Sequence, residues 1–279
     1  MLPTASLRHI CRVLDVPRSA LYQSAARASA PATTGTTALD DPVIRRIRDL
    51  IHAHPTYGYP RICALLRFGD QLVINRKRVY RLMRRKRWLV GQRQVTPKPR
   101  VKRRRSVAQR RNERWAMDVT HIAVGRDGWA HLTAVIDCYD RELVGFEFAL
   151  RGRAKEAERA LEAACLQRFG TIRPSGNTPI IRSDNGLIFQ SRRFRDACAF
   201  YRLDQEYITP YTPEQNGLIE RFFRSLKEEC VWQHTFESFA EATGVISAWI
   251  TWYNEGRPHQ ALGYQSPKQF QQQHQQQAA

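Results

Sequence analysis

Three carboxylates have the type and spacing for phosphodiester chemistry. Asp118 lies inside the stretch WAMDVTHI, between the apolar Met117 and Val119. Asp184 follows the apolar run Pro179–Ile181 in PIIRSDNG. Glu220 sits inside TPEQNGLIERFFRSLKEEC, with 35 residues between it and Asp184. Lys227 comes seven residues after Glu220, two helical turns on, so both project from one helix face. Cleavage of a phosphodiester by two metal ions needs carboxylates that converge on cations about 4 Å apart. One ion activates a water or a 3′-hydroxyl, and the other stabilises the leaving oxygen. Hard oxygen ligands suit two ions of Mg2+ or Mn2+, and an Asp on a rigid central strand suits the bridging position. Asp184 also has a second reading. In Asp184-Asn185-Gly186, Asn and Gly supply the positive-φ positions of a tight turn.

The elements that must position these acids follow from periodicity. WAMDVTHIAV, GWAHLTAVIDC and ELVGFEFAL read as strands separated by turn residues, Gly125–Gly128 and Tyr139–Arg141. Residues 155–170 form an amphipathic helix ending at Gly170. A strand at 179–183, a helix at 191–200, a short strand at 203–208 and helices at 213–229 and 238–253 follow. Three antiparallel strands, then strands alternating with helices, make an α/β fold with a mixed five-stranded sheet. Such a topology can set the first strand beside the one that ends at Asp184, with Glu220 supplied from a flanking helix.

Upstream the pattern is all helical. Residues 6–24 read as two short helices, compatible with a helix-turn-helix or a plain helical hairpin. Residues 28–39 are small and polar, a linker. Asp40 or Asp41 can cap a helix that starts at Pro42, and Asn75 caps RKRVYRLMRRKRW, where Val79, Leu82 and Met83 form the apolar stripe.

Charge separates the two halves. The 279 residues carry 45 Lys+Arg against 26 Asp+Glu, a net charge of +19. Residues 1–114 hold 27 basic and 6 acidic side chains, so the whole excess lies there. Between Arg76 and Arg111 there are 17 Lys/Arg and no acid. A run this long points to a polyanion, and Arg78, Arg81, Arg84, Arg85, Arg103, Arg104 and Arg105 are its candidate DNA contacts. No apolar run is long enough to span a bilayer, and the six cysteines are scattered singly, which suits reduced thiols in a cytosol rather than a disulfide framework.

Other residues have plainer readings. His52 and His54 lack the cysteine pair of a zinc site and read as helix-end residues. Asp137 reads as a structural or supporting carboxylate, Asp140 and Arg141 as a turn with a local pair, and His121 as a packed core histidine. Glu228 and Glu229 are expected to face solvent. Trp115, Trp249 and Trp252 are expected in the core, and His259 either caps the last helix or meets DNA.

MDVTHI, SDNG, YTPEQNGLIERFFRSLKEE and WYNEGRPHQALGYQSP together resemble the OrfB transposases of the insertion-sequence-three family, within the retroviral-integrase superfamily. YGYPRI with NRKRVYRLMRRKRW is similar to that family's helical region before the core. The resemblance implies a ribonuclease-H-like integrase core in which Asp118, Asp184 and Glu220 bind two metal ions. It implies that Lys227 contacts DNA near the scissile phosphate and that Asn185, Gln215, Asn216 and Gly217 shape the loop beside it. Asp184 then serves both readings, ending a strand while Asn185-Gly186 turn the chain. Pro60 stands where the family often has a basic residue. The implied domains are a helix-turn-helix-like segment at 1–27, a linker at 28–39, a helical DNA-binding region at 40–95 and a basic linker at 96–112. A catalytic core with a C-terminal helix follows at 113–268, and a disordered Gln-rich tail at 269–279. The implied activity is 3′-end cleavage and strand transfer on the element's terminal repeats and target DNA. A homo-multimer in the bacterial cytoplasm at the nucleoid is implied, with the upstream reading-frame product as a candidate fusion or partner. A non-catalytic DNA-binding regulator is the alternative, and a nuclease cutting RNA in hybrids shares the metal chemistry without accounting for the YGY and RPH segments.

Overall fold

The computed structural model describes residues 42–91, 108–209 and 213–278. The segment 1–27, the linker 28–39 and Arg103, Arg104 and Arg105 lie outside the described residues. By its internal contacts the chain divides into two compact units, Met1–Arg48 and Asp49–Ala279.

Helix α1, Pro42–Ala53, begins on a proline, whose fixed φ and missing N–H suit a first helical position. Helix α2, Tyr59–Ala64, runs on through a π-turn at Leu65–Gly69. Helix α3, Arg76–Arg85, is capped by the Asn75 side chain, which accepts from the Lys77 N–H. Val79 and Met83, four apart on one face, are fully buried, while Arg78, Arg81, Arg84 and Arg85 are exposed.

The remainder is a five-stranded sheet between two helical layers. Its strands are β1 (Arg114–Ala123), β2 (Trp129–Asp137), β3 (Leu143–Ala149), β4 (Ile180–Ser183) and β5 (Gln205–Tyr207), in the order β3-β2-β1-β4-β5. The first three are antiparallel, and β4 and β5 run parallel to β1. Strand residues alternate between faces. Trp115, Met117 and Ile181 pack with α4 (Ala154–Phe169), the short α5 (Leu187–Gln190) and α6 (Arg192–Phe200). Ala116 and Ile122 pack with α7 (Gly217–Glu229) and α8 (Phe239–Glu255). The five described cysteines are all free and buried, and Trp115 and Trp249 are core residues. No helix among the described residues is long and apolar enough to cross a membrane.

The Gln-rich tail, expected to be disordered, is helical: α9 spans Pro267–Ala278. Glutamine is a good helix former, and two side chains dock the helix. Phe270 packs edge-on to Tyr139 at 5.9 Å, and the Gln271 amide donates to Asp140 and Glu142 at 2.9 and 2.6 Å. Composition alone hid this because docking depends on residues some 130 positions upstream.

Candidate active site

The parallel register of β1 and β4 aligns two of the three candidate acids. Arg114 pairs with Ile180, Trp115 with Ile181, and Ala116 with Arg182. Asp118 and Asp184 each lie two residues beyond the last of these pairs, at the carboxyl end of the paired stretch. Two-residue steps keep a side chain on its face, so Asp118 follows Ala116, and Asp184 follows Arg182, toward the α7 layer. Adjacent strands stand about 4.8 Å apart, which makes the two aspartates neighbours. An open α/β sheet places its ligands at such carboxyl ends.

Helix α7 is tied to the same place. A 3-10 turn at Pro213–Asn216 leads into it. The buried Asn216 amide donates to the Met117 carbonyl at 3.5 Å, one residue from Asp118. The Arg182 guanidinium donates to the Gln215 carbonyl at 3.2 Å and grips Glu206 of β5 with its other nitrogens. Glu220, in the first turn of α7, therefore emerges near Asp118 in the middle of β1 and the end of β4.

The electrostatics agree. The Asp118 carboxyl is pushed up to about 6, first by burial, then by the charges of Asp184 and Glu220, while the Val119 N–H and Lys227 draw it back down. Asp118 Oδ1 accepts from Val119 N–H at 2.8 Å, and Asp184 Oδ1 from Gly186 N–H at 3.0 Å. A Cβ on Gly186 would come within 2.8 Å of that Asp184 oxygen, so a glycine here leaves room for the carboxylate. Both aspartates are thus turned onto local amides. Among the described residues no three His, Cys, Asp or Glu side chains form a closed ligand set for an ion. The donor set is nevertheless all carboxylate oxygen, the chemistry that Mg2+ and Mn2+ take.

The neighbouring candidates separate. Lys227 acts on Asp118 through its charge. Asn185 is exposed, and its amide donates to the Ile208 carbonyl at 3.0 Å. Gln215 closes the loop by bonding Thr209 twice, at 2.8 and 3.1 Å. Asn216, expected near DNA, is buried instead and serves the strand–helix junction.

Three other expectations change, and a fourth residue gains a role. Glu229 does not face solvent but pairs with Arg257 and Arg61, its side chain 8% exposed. His259 is buried against Tyr253, and burial, then the Arg257 charge, lowers its pKa well below the usual 6.5, so it is neutral and structural. His121 is exposed and lies edge-on to His131 rather than packed in the core. Asp140 does sit in a turn, but a buried one. With Asp137 and Glu142 it surrounds the buried Arg168 guanidinium at 3.2, 3.3 and 2.8 Å. The reading of Asp137 as structural fits this cluster. His54, taken as a helix-end residue, stacks between Tyr57 and Trp252. Arg182 and Arg168 drew no attention in the sequence, although an arginine in the apolar strand PIIRS is itself a signal that a buried partner waits.

An HTH-like domain matches residues 38–95, and two integrase core domain families match residues 108–213 and 201–267. The transposase InsD for insertion element IS2A/D/F/H/I/K of Escherichia coli is 30% identical over 237 residues, 83% of this chain and 78% of that protein. The transposase InsD for insertion element IS2D of Escherichia coli strain K12 matches to the same extent. Among solved structures, a chain of the simian T-cell lymphotropic virus intasome in complex with a PP2A regulatory subunit is 18% identical, with TM-score 0.49, over 81% of this chain and 73% of that one. The HTLV-2 integrase catalytic core domain in complex with magnesium is 20% identical, with TM-score 0.39, over 52% of this chain and 88% of that one.

Proposed function

The chain belongs to the insertion-sequence-three family of bacterial transposases, and from that membership we propose that Asp118, Asp184 and Glu220 hold two Mg2+ ions for cleavage and joining of DNA strands. One observation carries the reading: two aspartates, each two residues beyond the last pair of the parallel β1–β4 ladder, with Asp118 raised in part by the charges of Asp184 and Glu220. Burial of Asp118 beside two further acids leaves negative charge that a divalent cation relieves. When bound, the ions supply a hydroxide or 3′-oxygen nucleophile and stabilise the leaving 3′-oxygen.

The chain's own residues orient the DNA. Lys227, on the Glu220 face of α7, places an ammonium where a phosphate beside the cut strand can meet it. Asn185, exposed after Asp184, is poised to touch the backbone at the same point. The exposed Arg78, Arg81, Arg84 and Arg85 of α3 take phosphates of the duplex, the electrostatic share of binding that weakens with salt. The substrate is the element's terminal repeats and then target DNA, and joining two ends calls for more than one protomer. The protein cuts at the 3′ end, and the freed 3′-hydroxyl attacks a second phosphodiester without a covalent protein–DNA intermediate.

The test is a plasmid bearing both element ends, incubated with Mg2+ and the purified chain, with and without the upstream reading-frame product. Joined ends are expected in at least one arm and are absent when the chain carries Glu220→Gln. Joined ends formed at the wild-type rate by Glu220→Gln would remove Glu220 from the set, and specific DNA binding with no cleavage in either arm would favour a regulator.

A further inference from the structure

The YGYPRI and RPH segments, which the metal chemistry leaves without a role, meet at one carboxylate. Glu229 closes α7, the helix that carries Glu220 and Lys227. Arg257 grips both its oxygens, Nε to Oε2 at 2.8 Å and Nη2 to Oε1 at 2.5 Å, and also donates to Ser225 Oγ at 3.1 Å. From the helical region, Arg61 donates to Oε1 at 2.9 Å and the Tyr57 hydroxyl to Oε2 at 3.3 Å. His54 stacks on Tyr57 at 4.7 Å and on Trp252 of α8 at 5.0 Å. A second anchor lies at the start of α3, where the Arg76 guanidinium sits over the Tyr59 ring at 5.3 Å and the Tyr264 ring at 5.6 Å.

The helix separates this clamp from the acids. At about 100° per residue, nine residues put Glu229 half a turn round from Glu220. Ile219, Phe222, Phe223 and Leu226 face the sheet between them. One flank of α7 therefore carries Glu220 and Lys227, and the other carries Ser225 and Glu229. Because α7 is a rigid rod, whatever is bolted to the second flank sets where the first one stands.

We propose that Glu229 is a positioning residue that joins the helical region to the back of the helix bearing Glu220, so that the duplex held by α3 and the strand cut beside Glu220 are held by one body. The inference rests on the metal-site reading for its catalytic consequence but not for its structural one. Bidentate arginine pairing at a site only 4% and 8% exposed fixes the angle of α7, and Arg61 and Tyr57 extend that geometry to α2 and α3. The clamp acts on turnover of bound DNA rather than on its affinity.

Arg61→Ala is the variant of choice, since its side chain is 33% exposed and its loss leaves the buried Glu229–Arg257 pair intact. Spin labels at the exposed Arg67 and Arg224, introduced as unnatural amino acids, report the distance between the helical region and α7. A narrow distribution is expected in the parent and a broadened one in Arg61→Ala. The dissociation constant for an element end stays within about 2-fold, while cleavage at saturating DNA and Mg2+ falls about 10-fold, as misplacement of a bound strand does. Arg61→Lys, which keeps one hydrogen bond to Glu229, recovers part of the turnover. An unbroadened distance in Arg61→Ala, or a loss confined to affinity with unchanged saturated turnover, would overturn the proposal. Should the parent fail to cleave both with and without the upstream reading-frame product, the metal-site reading falls, and the distance measurement still decides the clamp.

Discussion

Asp118 and Asp137 stand on neighbouring strands of one sheet and face opposite sides of it. Asp137 pairs across the ladder with Trp115, on the α4 side, whereas Asp118 pairs with Ala134, on the α7 side. Each is one of three acids. Around Asp137, Asp140 and Glu142, positive charge is built in. Arg168 is 2% exposed and bonded to all three, and Arg111 reaches Asp140 at 3.2 Å and Glu142 at 3.5 Å. The Asp118 and Asp184 carboxylates accept from backbone N–H groups, and Lys227 acts on Asp118 through its field. The first trio is deeply buried and finds its compensation within the fold, whereas Asp118 and Asp184 are half-buried and Glu220 is exposed. Deep burial with a built-in cation marks the strut, and partial exposure marks the candidate ligand.

The sharpest way to break this comparison is exchange of acid for amide in each trio. Asp184→Asn or Glu220→Gln is expected to lower strand cleavage by about 10^3-fold or more with DNA affinity unchanged, measured by gel assay at saturating Mg2+. Asp137→Asn should leave cleavage per folded molecule near the parent value, and an equal loss there would erase the distinction. Removing the internal cation is the next largest effect. Arg168→Met leaves three buried acids under-compensated and should cost about 3–5 kcal/mol in a urea titration at pH 7. The loss shrinks at pH 5, since burial and the charge of Asp137 already raise the Asp140 carboxyl and protonation relieves it.

Mg2+ then discriminates between the trios in the unreacted protein. At about 100 times its dissociation constant it should stabilise the parent by about 2.7 kcal/mol in thermal melts. Arg168→Met should keep that response and Asp118→Asn lose it. The smallest effect is the pH dependence of the ion-free protein. Asp118 titrates at about 6 in the folded chain against 3.8 as its ordinary value. The folded chain therefore keeps a proton that the unfolded chain releases between those values. Its contribution to stability is full below pH 3.8 and is lost as pH rises through about 6. Asp118→Asn should flatten that slope and stabilise the ion-free protein at pH 7 by about 1–3 kcal/mol. A destabilised Asp118→Asn would show that its charge is already compensated within the fold.

Amino-acid order alone determined the local elements and their chemistry. Pro42, Asn75 and Gly170 mark helix ends where the backbone requires them, and apolar spacing at two and at three to four residues separates strands from helices. The 35-residue gap and the step from Glu220 to Lys227 could be counted directly. Tertiary structure alone decided which acids are satisfied. Asp137 and Asp118 look alike in sequence, each an acid in an apolar strand. The guanidinium that claims Asp137 comes from Arg168, 31 residues away, and the one that claims Glu229 from Arg257, 28 away. Buried Asn216, neutral His259 and docked α9 likewise take their roles from distant partners. Local order sets what a side chain can do, but the electrostatic energy of a carboxylate depends on charges within a few ångströms, and only the folded chain brings those charges there.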